Sequence, residues 1–166
     1  MHQRSGSWAV LVGGAIAGTL DILFAISFAA ANGVAASRVL QSVASGLLGE
    51  AAFSGGASTA VMGLACHFAL AFLWALLFLL AAKNWPALVR RPLISGMAFG
   101  VVVFLCMRLV VLPLSAFPRP VTFKPLATVL DLSSHMFLFG FPIAWAASKA
   151  VIRGGAGSLE PMPQRP

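Results

Sequence analysis

The chain has 166 residues, of which 60% are hydrophobic and only 9% are charged. Soluble domains carry about 25% charged residues, so this composition argues against a soluble enzyme and is typical of a membrane protein. The net charge of +7 would suit a nucleic-acid ligand. However, the basic residues flank apolar runs instead of clustering on one soluble face, so we expect no nucleic-acid partner.

The first apolar run covers 8–31, long enough as a helix to cross a hydrocarbon core of about 30 Å. Gly14 and Gly18 form a GxxxG motif, and at helical spacing they share a narrow face with Asp21. Small residues let a neighbouring backbone approach closely, so we expect Asp21 to face another helix. A cleaved signal peptide is the alternative, although its apolar region is normally shorter and lacks a central aspartate.

The segment 37–53 is too polar to span a membrane, yet it has helical periodicity. Leu40 and Val43 belong to its apolar face, and Arg38 belongs to its polar face. This pattern predicts an amphipathic helix that lies at the membrane interface. Glu50 falls near the apolar face, so its side chain either turns inward or extends to water.

Three further apolar runs are each long enough to span a membrane. They cover 60–82, 93–114 and 126–147. Small residues again mark expected helix contacts, because Gly63 lies in the second span and Gly96 and Gly100 form a GxxxG in the third. The sequence therefore predicts an all-α fold, a four-transmembrane-helix bundle with one interfacial amphipathic helix between its first two spans.

Each of these three runs also carries polar residues. They are His67, Arg108, Asp131 and His135. Asp131 and His135 are one helical turn apart and so lie on one face. A charged side chain at mid-span costs about 2.5–3.5 kcal/mol, so convergence is more stable than exposure to lipid. We expect Asp21, Arg108 and Asp131 to pair, with Asp21 and Arg108 as mutual partners. His67 and His135 would complete a polar cavity.

A single domain is expected over 1–153, followed by a disordered Gly- and Pro-rich tail at 154–166. With four spans, both termini and the 83–91 link share one side of the membrane. That side has seven Lys and Arg residues and the other has three. The positive-inside rule then places both termini in the cytoplasm.

Three segments carry a family resemblance: GAIAGTLD at 14–21, RVLQSVASGLLG at 38–49 and VVLPLS at 110–115. On these segments the chain resembles a family of small bacterial membrane proteins of unknown function. More distantly, its second to fourth spans are similar to the YagU-type inner-membrane proteins. The resemblance covers roughly 9–150 and implies a multi-pass membrane fold, but it implies no activity, cofactor or catalytic residue.

Polar residues inside a membrane bundle fit three functions. The first is a structural or partner-binding role, in which buried ion pairs fix the arrangement of the helices. The second is a small proton- or ion-coupled transporter, because intramembrane Asp and His residues are the usual parts of proton relays. Four helices are few for alternating access, so the expected partners are the lipid bilayer and either a second copy or another membrane protein.

The third function is cofactor binding, although no cofactor is predicted outright. His67 and His135 are candidates for the two axial ligands of a haem b. Together with Asp21 and Asp131 they are also candidates for a site that binds iron, manganese or zinc. The sequence has no GxSxG, P-loop or HExxH motif, which argues against an enzyme, so we name no catalytic residue.

Overall fold

The computed structural model describes residues 5–155, and all regular structure in that range is helical. Four helices are long and apolar enough to cross a membrane, which confirms the predicted all-α bundle. They are α1 (Gly6–Ala31), α3 (Gly56–Asn84), α5 (Pro92–Leu114) and α6 (Pro125–Val151). Helical geometry continues past α6 to Gly155, and the rest of the predicted tail lies outside the described residues.

Two shorter helices connect the long ones. Helix α2 (Ala36–Leu48) continues into a 3-10 turn at Gly49–Phe53 and covers the segment predicted to be amphipathic. Helix α4 (Ala87–Arg90) lies in the basic link between α3 and α5.

Local sequence explains where the long helices begin. The Ser5 hydroxyl accepts a hydrogen bond from the Trp8 amide and so caps the first turn of α1. Pro92 and Pro125 stand at the first positions of α5 and α6, where the missing amide hydrogen costs nothing.

Two of the long helices widen into a π-helical turn, which the sequence analysis did not predict. These turns cover Met107–Val111 in α5 and His135–Gly140 in α6. Each ends two residues before a proline, Pro113 or Pro142. Proline cannot donate to the carbonyl one turn earlier, and its ring crowds that carbonyl, so the preceding turn widens. Pro142, inside α6, is thus accommodated by a π turn just before it.

All five glycines predicted to mark helix contacts lie against a neighbouring element, each so closely that an added Cβ would collide with it. Gly14 and Gly18 of α1 face Phe72 and Phe68 of α3. Gly63 of α3 faces the backbone of α2 at Leu40. Gly96 and Gly100 of α5 face the backbone of α6 around its π turn. These close approaches leave no room for larger side chains.

Helix α6 lies at the centre of the arrangement, because both α1 and α5 pack along it, while α3 packs along α1 and also contacts α6. Towards the ends nearest the two termini, the bundle is closed. Phe78 of α3 contacts Phe99 of α5 with ring centroids 4.9 Å apart, and Ile143 of α6 is only 1% exposed. We call this region the packed half; it comprises 6–17, 74–104 and 141–151.

The opposite region, which we call the open half, comprises 18–73 and 105–140. Here α2 packs on α3, and the loop after α5 is joined to α2 by a hydrogen bond from the Ala116 amide to the Gly46 carbonyl, 2.9 Å long. Together, α2 and this loop form a roof over the helices. Beneath the roof lies a cavity of about 1260 Å³.

The orientation of α2 differs from the simplest expectation for an amphipathic helix. Gln41 and Ser45, on its polar face, are buried. The Gln41 amide donates to the Gly56 carbonyl, and Ser45 donates to the Ser42 carbonyl, so both polar groups are satisfied. Apolar residues of α2, such as Val43, line the cavity instead. The burial of Gln41 and Ser45 was not expected from the sequence, and Arg38 of the same polar face lines the cavity together with Val43.

Candidate functional site

An ion pair joins α5 to α6 at the level of the open half. One Nη of Arg108 donates to an Oδ of Asp131 over 2.6 Å, and the other Nη donates to the Thr122 carbonyl over 3.0 Å. The guanidinium also lies over the rings of Phe104 and Phe123, at 5.4 and 5.7 Å from their centroids. Both side chains stay partly exposed, by 22% for Arg108 and 31% for Asp131.

His135 lies beside this ion pair, at the first position of the π turn in α6. Its Nδ1 is 3.2 Å from Asp131 Oδ1, 2.9 Å from the Asp131 carbonyl oxygen and 4.0 Å from Asp21 Oδ1. The ring packs edge-on against Phe104, with centroids 5.6 Å apart. His135 is therefore the residue that brings the two aspartates into one group.

Asp21 of α1 accepts a hydrogen bond from the Ser134 hydroxyl, 3.0 Å long. Within residues 5–155, Arg108 is paired with Asp131 and not with Asp21, so the expected Asp21–Arg108 partnership is wrong. The physical reason is the order of the helices. Because α6 lies between α1 and α5, its own polar residues reach each neighbour first. We call Asp21, Arg108, Asp131, Ser134 and His135 the polar cluster.

His67 lies apart from the polar cluster. Its Nε2 is 2.8 Å from the Gly18 carbonyl oxygen of α1, and since a carbonyl only accepts, this nitrogen must carry the hydrogen. A protonated Nε2 cannot bind a metal at the same time. Within residues 5–155 there is also no group of three or more His, Cys, Asp or Glu residues arranged to hold a metal ion.

Glu50 is exposed and lies on the 3-10 turn after α2, where it lines the cavity. The sequence left two alternatives for Glu50, an inward-facing side chain or one that extends to water. The structure combines them, because the side chain is accessible to water and also lies on the cavity side of the roof. It forms no ion pair with another residue in the described part of the chain.

The cavity of about 1260 Å³ is mainly apolar, and three members of the polar cluster lie in its wall. Those three are Asp21, Arg108 and Asp131. A smaller cavity of about 410 Å³ lies under the loop after α5 and is lined by Arg108, Asp131 and His135. The polar cluster therefore separates two cavities of the open half.

Neither protein-family models, nor curated proteins, nor solved structures gave a match. The resemblance to small bacterial membrane proteins and to the YagU-type proteins stays a prediction. The interpretation of the site rests on its geometry.

Several residues of the open half were missed by the sequence analysis. Ser134 was missed because serine is common in apolar helices, although its position next to His135 was a usable signal. The pair of Arg38 and Arg119 was missed because 81 residues separate them in the chain. Both guanidinium groups lie over the ring of Phe53, at 5.4 and 4.9 Å from its centroid. Only the folding of the loop onto α2 brings them together.

Proposed function

We propose that this multi-pass membrane protein is a binding protein that holds a hydrophobic or amphipathic small molecule in the cavity of its open half. The observation that carries this proposal is the cavity itself. Ligand pockets usually measure about 300–1,000 Å³ and are apolar with a few polar groups that orient the ligand. The volume of about 1260 Å³ exceeds this range and leaves room for a large ligand, and Asp21, Arg108 and Asp131 are the polar groups in the wall.

In this proposal the polar cluster has a structural role. Asp131 and Ser134 of α6 bond to α5 and to α1 respectively, so one helix fixes the positions of two neighbours. Interhelical hydrogen bonds in membranes contribute only about 0.6–2 kcal/mol each. That is enough to select one arrangement of the helices around the cavity, which corresponds to the structural role expected from the sequence.

A native mass spectrum of the protein purified in a mild neutral detergent tests the proposal. We expect a population that retains one small molecule. Ala69→Phe should remove it, because Ala69 lines the cavity. The matched control is Ala65→Phe, on the same helix and equally exposed but outside the cavity wall. If both variants retain the molecule as the wild type does, the cavity is not the binding site.

A proton-coupled transporter is the second candidate, favoured by the contacts of His135. This ring lies within 4.0 Å of both Asp21 and Asp131, which forms a chain of titratable groups between the two cavities. Proton relays in transporters are built from such groups. Proton flux into liposomes, compared with that of Asp21→Asn, tests this candidate, and equal flux in both would eliminate it.

Haem b or a transition-metal ion stays a third proposal. The same purified sample decides it through a visible spectrum and a metal analysis. A Soret band, or one metal ion per chain, would support a cofactor, and its absence in a freshly prepared sample would remove this class.

We further propose that the protein lies in a bacterial inner membrane with both termini in the cytoplasm. Lys83, Arg90, Arg91 and Lys149 lie at the packed end of the bundle, and cytoplasmic ends carry an excess of such residues. The open half would then belong to the outer leaflet. Labelling of single cysteines placed at 85 and 123 with a membrane-impermeant reagent in whole cells tests the orientation. Labelling only at position 85 would mean that the orientation is the reverse of the one proposed.

A further inference from the structure

We propose that the ligand is a long-chain amphiphile with a phosphate headgroup, and that Arg38 and Arg119 bind this phosphate at the rim of the cavity. The inference rests on the proposed function, because the hydrocarbon tail would occupy the same cavity. It adds the chemical class of the ligand and the two residues that select it.

The two arginines come from different elements and meet at one aromatic ring. Arg38 lies on α2 and Arg119 on the loop after α5, and both line the cavity. Their guanidinium carbons are 5.4 and 4.9 Å from the centroid of the Phe53 ring. One Nη of Arg38 also donates to the Phe53 carbonyl over 3.2 Å. Phe53 is therefore the residue that both cations contact, and it joins α2 to the loop after α5.

The charges of these two arginines are not compensated. Within residues 5–155, neither guanidinium forms an ion pair with a carboxylate, although Glu50 lines the same cavity. Two like charges held on one ring repel each other, and an anion shared between them removes that repulsion. Arginine presents planar pairs of N–H donors that match the oxygens of a phosphate. This arrangement favours a phosphate over a neutral polar headgroup.

The wall below the rim suits a hydrocarbon chain. Phe24 and Phe28 of α1 line it, with stacked rings 6.2 Å apart, and aliphatic residues such as Val43 and Leu70 complete it. An amphiphile bound with its phosphate at the rim would thus extend its tail along the cavity faces of α1 and α3. Arg38 and Arg119 are also exposed and lie outside the four long apolar helices, where a charged headgroup would be hydrated.

A phosphate on a hydrocarbon chain has two sources in a membrane: a bilayer phospholipid and a single-chain lipid phosphate. Native mass spectrometry of the full chain in neutral detergent distinguishes them, with phosphatidylglycerol for the first and dodecyl phosphate for the second. Diacylglycerol and dodecanol are the matched ligands without phosphate. We expect at least one phosphate ligand to bind about tenfold more tightly than its matched ligand, as expected for one charge-assisted hydrogen bond.

The decisive variant is Arg38→Gln/Arg119→Gln, and its matched control is Lys124→Gln. Lys124 is exposed and lies in the same loop as Arg119, but it does not line the cavity. The double variant should lose the preference for phosphate, and the control should keep it within about twofold, as expected for a screened surface charge. An equal loss in both would overturn the inference, because it would indicate attraction by surface charge alone.

The same measurements separate this inference from the proposed function. If Ala69→Phe reduces the binding of all four ligands but the arginine variant changes nothing, the cavity binds tails and the phosphate assignment is wrong. If Ala69→Phe reduces none of them, the cavity itself is not a binding site. Without added lipid, the double variant Arg38→Gln/Arg119→Gln must melt at the same temperature as Lys124→Gln, so that a loss of binding is not a loss of folding. If the double variant melts lower, the single variant Arg119→Gln, which removes no hydrogen bond to the 3-10 turn, replaces it.

Discussion

The packed and open halves of the bundle are built from the same four helices but have opposite properties. In the packed half, side chains such as Phe78, Val89 and Ile143 are at most 2% exposed and belong to one hydrophobic cluster. In the open half, a cavity lies among the same helices, and charged side chains lie in its wall. The difference teaches that a closely packed half holds the bundle together, which allows the other half to enclose a cavity.

Small residues explain how the packed half closes. Gly13 of α1 lies against Ile143 and Ala146 of α6, and Ala144 and Ala147 are also buried. Such residues let helix backbones approach closely, which gives the van der Waals contact that drives association in lipid. In the open half, by contrast, α3 is covered by α2 instead of by α5.

The largest expected effect comes from Gly100→Leu, at a position where the backbones of α5 and α6 approach closely. An added side chain would collide with the His135 carbonyl, and neither backbone can give way without separating the helices. We expect a loss of about 3 kcal/mol or more in the free energy of unfolding, measured by denaturation in detergent micelles. Val102→Leu, at a position 56% exposed, is the control and should change little.

The next effect compares the two halves directly. Phe78→Ala removes a ring from the packed half and should cost about 3–5 kcal/mol in the free energy of unfolding. Phe28→Ala removes a ring from the cavity wall, where fewer neighbours are lost, and should cost about 1 kcal/mol. Thermal denaturation of both variants in the same detergent measures the contrast. Equal costs would mean that the open half contributes as much stability as the packed half.

A smaller effect is expected from the ion pair between α5 and α6. Arg108→Gln should lower the free energy of unfolding by about 1–2 kcal/mol, less than for a fully buried pair because water reaches both side chains. A double-mutant cycle with Asp131→Asn should show coupling, whereas a cycle with Asp21→Asn should be close to additive. The reverse result would restore the Asp21–Arg108 pair expected from the sequence.

The smallest effect is expected from the hydrogen bond between α6 and α1. Ser134→Ala removes the donor to Asp21 and should cost about 0.6 kcal/mol, the average for such bonds in membrane bundles. Ser133→Ala is the control, since the Ser133 hydroxyl donates only to the Val129 carbonyl of its own helix. Chemical denaturation of both variants measures the difference, and a cost above about 2 kcal/mol would mean that Ser134 does more than join two helices.

The sequence was sufficient to predict the four long helices, but it predicted the converging polar residues only in part, because His67 lies apart from the polar cluster. Four long apolar runs can only be helices in lipid, and the spacing of Asp131 and His135 fixed their shared face. The partner of Arg108 could not be predicted from the sequence, because hydropathy does not give the order of the helices around a bundle. The rotation of α2 about its axis could not be predicted either, because the burial of Gln41 depends on one acceptor at the start of another helix, the Gly56 carbonyl.

The two π turns have a consequence for changes in chain length. A π turn holds about one more residue than an α turn, so the helix has in effect absorbed an insertion there. Deleting one residue from Met107–Val111 would restore an α turn and leave the following residues close to their present orientation, so the loop that carries Arg119 would keep its place. A deletion within α3 would instead rotate the residues after it by about 100°. In an alignment with related chains that are one residue shorter, we therefore expect the gap at these turns and not within α3, which has no π turn.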